Sequence, residues 1–523
     1  MNLRMSWKWL ALALLSLPFW ETCALGQTIA GIQAPIPDIP LPAEPPPAVE
    51  VITPLTPIVA EQTQPVIPST ASQKDVEKIV ADYLKKKETE KKEAEEKKKQ
   101  EAEEKKFNDH YGGTRYDLLS LYDELSLPSD APKKWYDKFS IRGYTQVRFD
   151  RTLTKEDRSA APNLFSDRFI NGSNENFGIR RARIIFSGDV SDYLSLYFQA
   201  DFATVAQTGS SAYYFGQARD LYGDVYLDKD RVHRFRVGLS KVPYGFDNIQ
   251  SSQNRVTLDR SDPFNSAEPN ERDLGVFYYW TPVEEQKLFK SLAESGLKGS
   301  GNFGLFGIGV YDGQNQPSID LNYNLHTVAR ATYPFQLPSS QVVEVSLQGY
   351  TGYYVVPGAI IRPLGRGSAT LTPANTGGND GVLDQRIAAS FIWYPQPFGI
   401  QAEWQVGRGP GLSDDQTRVE ARHLDGGYIT GMYRQPTKSF GIVTPYSRYQ
   451  QFTGGYKNQP NAPYGHQRQI DLGIEWQIRK EMELTLEYGR ASTPNFTAST
   501  TPGVRPYSDF TGSIFRVQFQ INY

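Results

Sequence analysis

Ile514-Phe-Arg-Val-Gln-Phe-Gln-Ile-Asn-Tyr523 alternates without a break: Phe515, Val517, Phe519, Ile521 and Tyr523 are apolar, while Arg516, Gln518, Gln520 and Asn522 are polar. Side chains of a strand point to opposite faces with period two, so this stretch has one greasy and one wet face. A half-buried strand of a soluble sheet would read the same way. In a transmembrane barrel the apolar face meets lipid, the polar face lines water, and the terminal aromatic sits in an interfacial girdle. Recurrence of the pattern separates the two readings.

The pattern recurs upstream. Phe139, Ile141, Val147 and Phe149 oppose Arg142, Tyr144, Gln146 and Arg148. Ala182, Ile184 and Phe186 oppose Arg181, Arg183 and Ser187, and Leu194, Leu196 and Phe198 oppose Ser195, Tyr197 and Gln199. Leu221, Val225 and Leu227 alternate with Tyr222, Asp224 and Tyr226, and Phe235, Val237 and Leu239 with Arg234, Arg236 and Ser240. Clear later strands centre on Trp404, Leu472 and Leu486, and weaker ones lie near 273–281, 302–311, 326–333, 341–351, 383–394, 426–434 and 440–453. The total is about sixteen strands, an even number within the range of bacterial outer-membrane barrels. Tight connections at Ser191-Asp192, Pro395-Gln396-Pro397 and Arg479-Lys480 alternate with long ones at 151–176, 204–217, 242–272, 353–382 and 491–511. That asymmetry puts the short turns and both termini in the periplasm and the long loops outside. The stretch 282–300 breaks the rule, being long where a short turn is due. A propeller would show a repeat per blade, and none is present.

Composition agrees. The 523 residues are 13% aromatic, with a net charge of -3 and five histidines. Mean hydropathy is -0.51. Near-neutral charge carries no nucleic-acid signature. Residues 1–26 read as a secretory signal: Arg4 and Lys8, an uncharged run from Trp9 to Trp20, then Ala24-Leu25-Gly26. The run is shorter than the roughly 18 residues of a spanning helix, and no later stretch supplies one. The single cysteine, Cys23, lies inside this signal, so no disulfide or cysteine metal site is expected. Residues 27–72 form a proline-rich linker, and 73–106 form a charged helix or coiled coil. Residues 107–135 are a second linker, and 136–523 the barrel.

Several stretches together, Lys138-Phe-Ser-Ile-Arg-Gly143, Asn176-Phe-Gly-Ile-Arg-Arg-Ala-Arg183, Tyr197-Phe-Gln-Ala-Asp-Phe202 and Arg236-Val-Gly-Leu-Ser-Lys-Val-Pro243, resemble the phosphate-selective porin O and P family. Glu271-Arg-Asp-Leu-Gly275 and Asp425-Gly-Gly-Tyr428 extend the resemblance, which covers Lys138 to Tyr523. It implies a sixteen-stranded, usually trimeric outer-membrane porin that passes small hydrophilic or anionic solutes and needs no cofactor. By the same analogy the 242–272 loop folds into the lumen as a constriction carrying Lys241, Arg255, Arg260 and Arg272 beside Asp247, Asp259, Asp262, Glu268 and Glu271. The charged helix is outside the family pattern and is similar to coiled-coil extensions of related porins.

Alternation alone assigns the wall charges. Arg142, Arg148, Arg181, Arg183, Arg236 and Arg516 fall on strands one, two, five and sixteen, which closure makes one basic arc. Glu344, Glu403, Asp471, Glu475, Glu483 and Glu487 fall on strands nine to fifteen as an acidic wall. Asp201 and Asp224 dilute the first; Arg330, Arg386 and Arg448 dilute the second. Paired, solvated charges with no role in selection are the plainer reading. Because the candidate loop is at least as acidic as basic, strict phosphate specificity is not expected. An enzyme is disfavoured: His110, His233, His326, His423 and His466 form no catalytic or metal-spaced set, His233 falling in an expected turn. A third reading is an anchor that holds outer-membrane lipid to peptidoglycan or other envelope components through the N-terminal helix.

Overall fold

The structure is a computed structural model, and it describes residues 138–153, 176–203, 216–315, 320–358, 360–361, 369–370, 377–378, 380–437, 439–497 and 507–523. The expected signal, linkers and charged helix of residues 1–135 lie outside the described residues.

In chain order the strands are β1 Phe139–Thr152, β2 Asn176–Ser191, β3 Leu194–Asp201, β4 Gln217–Tyr226 and β5 His233–Lys241. Two short helices, α1 Phe246–Ile249 and α2 Asp262–Ala267, precede β6 Arg272–Trp280; α3 Val283–Glu294 precedes β7 Phe306–Tyr311. Then come β8 His326–Gln336, β9 Val342–Tyr354, β10 Val382–Trp393, β11 Phe398–Leu412 and β12 Val419–Tyr433. The last four are β13 Gly441–Gly455, β14 Tyr464–Arg479, β15 Met482–Thr497 and β16 Tyr507–Asn522. The short segment Gln435–Thr437 continues the β12 edge along β13.

Every stave pairs antiparallel with its sequence neighbours, and β16 pairs back onto β1 from Tyr144↔Asn522 to Thr152↔Ile514. The sheet is therefore a closed antiparallel barrel of sixteen staves, as the alternation predicts. Closure leaves no strand edge, which is what lets a sheet satisfy its backbone inside hydrocarbon. Gly143 sits at the seam; a Cβ there would overlap the Tyr523 ring at 2.5 Å, so the seam needs a residue without one.

The outward face is as expected. Leu472 is 51% and Ile474 47% exposed on β14, with Ile521 at 40% on β16. Trp280, Phe398, Tyr433 and Tyr523 are exposed at the short-turn end, where an aromatic girdle belongs.

The inside differs from a uniformly wet lumen. Val242, Tyr244, Phe264 and Ala267 of the β5–β6 loop bury against Phe277, Tyr279, Tyr311 and Val328 of the wall. Apolar luminal residues there give the loop a surface to dock on. The unexplained 282–300 stretch contains α3. The last long loop is shorter than 491–511, because β15 and β16 stay paired to Thr497↔Tyr507 as a ribbon. His233 opens β5 opposite Trp280 and does not lie in a turn.

Candidate functional site

The β5–β6 loop leaves the wall after Lys241, crosses the lumen and returns at Arg272. Gly245, at φ 80°, lets the chain turn inward beneath the Phe264 ring, which a Cβ would meet at 2.5 Å. The loop then docks on the far wall. The backbone N–H groups of Phe246 and Asp247 donate to the two Glu403 carboxylate oxygens at 2.6 and 2.9 Å. Ser390 and Tyr428 hydroxyls complete that carboxylate at 2.5 and 2.9 Å. A carboxylate receiving four donors is held, and it holds the start of α1 in return.

A second anchor is Asp259. Arg148 Nη1 donates to both its oxygens at 3.1 Å, and Arg516 pairs with it as well as with Glu487. Glu487 also accepts the Leu258 N–H at 3.1 Å and the Tyr446 hydroxyl at 2.7 Å. Arg448 joins Asp471 at 2.8 Å to the Asp259 carbonyl at 2.8 Å. Buried charges of this kind persist only when paired and hydrogen-bonded.

The remaining residues of the expected acidic wall are also luminal and engaged. Glu344 holds Arg330 at 3.3 Å and accepts the Thr332 and Tyr394 hydroxyls. Glu475 pairs with Lys298 at 2.5 Å, and Glu483 is buried. Glu403, Glu487 and Glu475 thus serve as attachment points for inward-folded chain, while Glu344 and Asp471 pair along the wall.

The basic arc divides: Arg148 and Arg516 hold the loop at Asp259, Arg183 donates to the loop's Ser252 Oγ at 3.0 Å, and the others bond along the wall. Arg183 pairs with Asp201 at 2.7 Å, Arg236 with Asp224 at 2.8 Å, and Arg181 donates to Gln146 at 2.8 Å. Arg142 is half-buried, donates to Ser187 Oγ at 2.9 Å and lies over Tyr197, with no carboxylate partner among the described residues. Tyr197 stacks on Tyr222 at 5.0 Å, and Arg236 caps Tyr222 at 3.8 Å. The column stiffens the wall while leaving its polar edge toward the lumen.

The four cations at and within the loop are all paired, Lys241 and Arg272 where it joins β5 and β6. Lys241 meets Glu271 at 3.0 Å and Arg272 meets Asp220 at 2.9 Å. Arg255 pairs with Asp247 at 3.1 Å, and Arg260 lies 3.5 Å from Glu271. Burial would raise the Glu271 carboxyl, but Lys241, Arg260 and Arg272 outweigh it and hold the group well below its ordinary range. Two luminal arginines were not picked out from sequence. Arg234 donates to the Asn302 carbonyl at 2.8 Å, and its place on the polar face of β5 was signal enough. Arg219 donates to the Asn270 carbonyl at 3.2 Å; a register shift between Gln199 and Ala200 disturbs the alternation beside it.

A family model described as phosphate-selective porin O and P matches residues 165–523. No curated protein sequence matches the chain. Among solved structures, the chain is similar to in-vitro folded OmpT of Vibrio cholerae in its trimer form, at 11% identity over 74% of this chain and 99% of that one, with a TM-score of 0.43. It is similar to Salmonella typhi OmpF in complex with daunomycin at 14% identity, covering 74% and 97%, TM-score 0.47. It is also similar to an anion-selective porin from Comamonas acidovorans at 11% identity, covering 74% and 99%, TM-score 0.41.

Proposed function

Because the chain belongs to the phosphate-selective porin O and P family, we propose that solutes cross its lumen along the guanidinium-rich arc of β1–β6, with small anions preferred. The chain is an outer-membrane porin for passive diffusion of small hydrophilic solutes and ions. One observation carries the preference: Glu403, Glu487 and Glu475 on the opposing wall are tied to the inner loop and to the chain beyond α3, whereas Arg142 faces the lumen with no carboxylate partner among the described residues. Fixed charge in a narrow wetted passage sets which ions enter. Broad selection of small anions fits better than phosphate alone, since Asp247 and Glu271 already occupy Arg255, Lys241 and Arg260. The test is a reversal potential across planar bilayers holding the wild-type porin in a tenfold KCl gradient. A chloride-favouring potential is expected; a zero or potassium-favouring one defeats the proposal. Transport is the whole of the activity proposed; no catalytic step is assigned.

We further propose that residues 1–26 direct export and that 73–106 lie in the periplasm, trimerising the barrels or gripping the envelope through a proline-rich arm at 27–72. Deleting 27–106 is expected to leave single-channel conductance intact while weakening trimer stability on gels or co-sedimentation with peptidoglycan. Loss of conductance with both others unchanged would reverse this assignment.

A further inference from the structure

Connections at the periplasmic end are otherwise tight, with two residues at Asp192-Tyr193 and two at Lys480-Glu481. The β6–β7 connection, residues 281–305, is the outlier. Pro282 precedes α3, and Glu284 and Glu285 sit in its first turn, where acidic side chains favour a helix start. Its Leu292, with Leu297 beyond it, buries against Val342, Ile392 and Tyr394 of the wall and against Phe246 of the inner loop.

The chain then runs on across the barrel. Lys298 Nζ reaches Glu475 on β14 at 2.5 Å. β14 lies eight staves from β6 in a sixteen-stave ring, so the chain leaving β6 has reached the far side of the lumen by Lys298. The Lys298 carbonyl accepts Gln250 Nε2 at 2.6 Å, joining the segment to the tip of the constriction loop. Two layers of inward chain are therefore tied together, by packing at Phe246 and by hydrogen bonding at Gln250. Arg142, Ser187, Tyr197 and Tyr222 on the opposite arc stay only half-buried. A cavity of about 470 Å³ lies between Gln253 and Asn254 of the loop and Phe289, Lys290 and Asn302 of the β6–β7 connection.

We propose that the 282–301 segment is a built-in plug that covers the acidic half of the periplasmic mouth and confines the exit to the basic arc. It sets both the width of the pore and its charge preference. The second of these rests on the anion route proposed above; the first does not.

The experiment replaces residues 283–300 with a four-residue Asn-Gly-containing turn and measures unitary conductance, the size of polyethylene glycol excluded, and reversal potential. Expected results are at least a twofold rise in conductance, admission of larger polymers, and a permeability ratio moving toward one as Glu475 meets solvent. Polymer exclusion is blind to charge, so it reads the plug alone. Lys298→Glu supplies a point variant in which like charges face each other, with the same signs of change expected. Heat-modifiable gel mobility reports a folded barrel for each. A folded variant with wild-type conductance and polymer exclusion overturns the plug. A wild type without chloride preference, together with a variant that widens, overturns only the anion route and leaves the plug standing.

Discussion

Alanine in place of Asp259 is expected to release the constriction loop, raise unitary conductance severalfold and destabilise the barrel by about 3 kcal/mol. Asp259 is fully buried and receives Arg148, with Arg516 and Arg180 also within reach. Removing the carboxylate leaves guanidinium groups of β1, β2 and β16 facing one another with Gln518, Glu487 and the neighbouring Asp150 and Asp471 to offset them in part. The cost of breaking a buried pair is about 3–5 kcal/mol, and the lower end applies because water entering from the lumen solvates the exposed charges. Local repulsion should push the 257–262 stretch away from β13–β16, where Leu258 and Asp262 now dock on Glu487 and Gln450. Asp259→Asn keeps the volume and loses the charge, so it should fall between alanine and wild type. Conductance in bilayers and urea unfolding in vesicles measure the two effects. If Asp259→Ala folds and conducts as wild type, the buried cluster is not what holds the loop in.

How far sequence reading reached depends on the range of the interaction. Strand identity is local. The alternation at Ile470, Leu472 and Ile474 needs only the pleat and the presence of lipid, and all sixteen staves follow from such patterns. The β6–β7 helix was legible too. Pro282, the acids at 284 and 285, Leu288 and Leu292 four residues apart, and Gly296 after the end make a helix signal, but the expectation of a short turn hid it. Alternation gives the face of each wall charge but not its partner. Nothing near Glu403 in sequence shows that its partners are the backbone N–H groups of Phe246 and Asp247, more than 150 residues earlier. Likewise the acidity of the loop argued only against strict phosphate specificity, because Asp259 cannot be matched to Arg148 and Arg516 from spacing. Pairings between distant segments depend on closure of the barrel, and one sequence does not encode them in any local pattern.

Charge reversal at two lumen-facing arginines, Arg142→Glu with Arg234→Glu, is expected to turn the chloride preference into a potassium preference. Among the described residues Arg142 bonds serine hydroxyls and lies over the Tyr197 ring; Arg234 shares Asp224 at 3.4 Å with Arg236. Neither belongs to the Asp259 cluster that docks the loop, and although Arg234→Glu gives up the bond to the Asn302 carbonyl, the sixteen staves should stay paired. At roughly 8 Å in a water-filled lumen, one unit charge alters the energy of a monovalent ion by about 0.5 kcal/mol. Two reversals change four units, about 2 kcal/mol, and screening at 0.1 M salt removes about half of that. Anions lose about 1 kcal/mol and cations gain as much, so the permeability ratio should change by roughly thirtyfold. The effect should collapse at 1 M salt, where the screening length is about 3 Å. Reversal potentials at both salt concentrations decide the matter. A ratio unchanged at 0.1 M would mean that ions take a path away from β1 and β5, and a ratio equally altered at both salts would point to a change of shape and not of field.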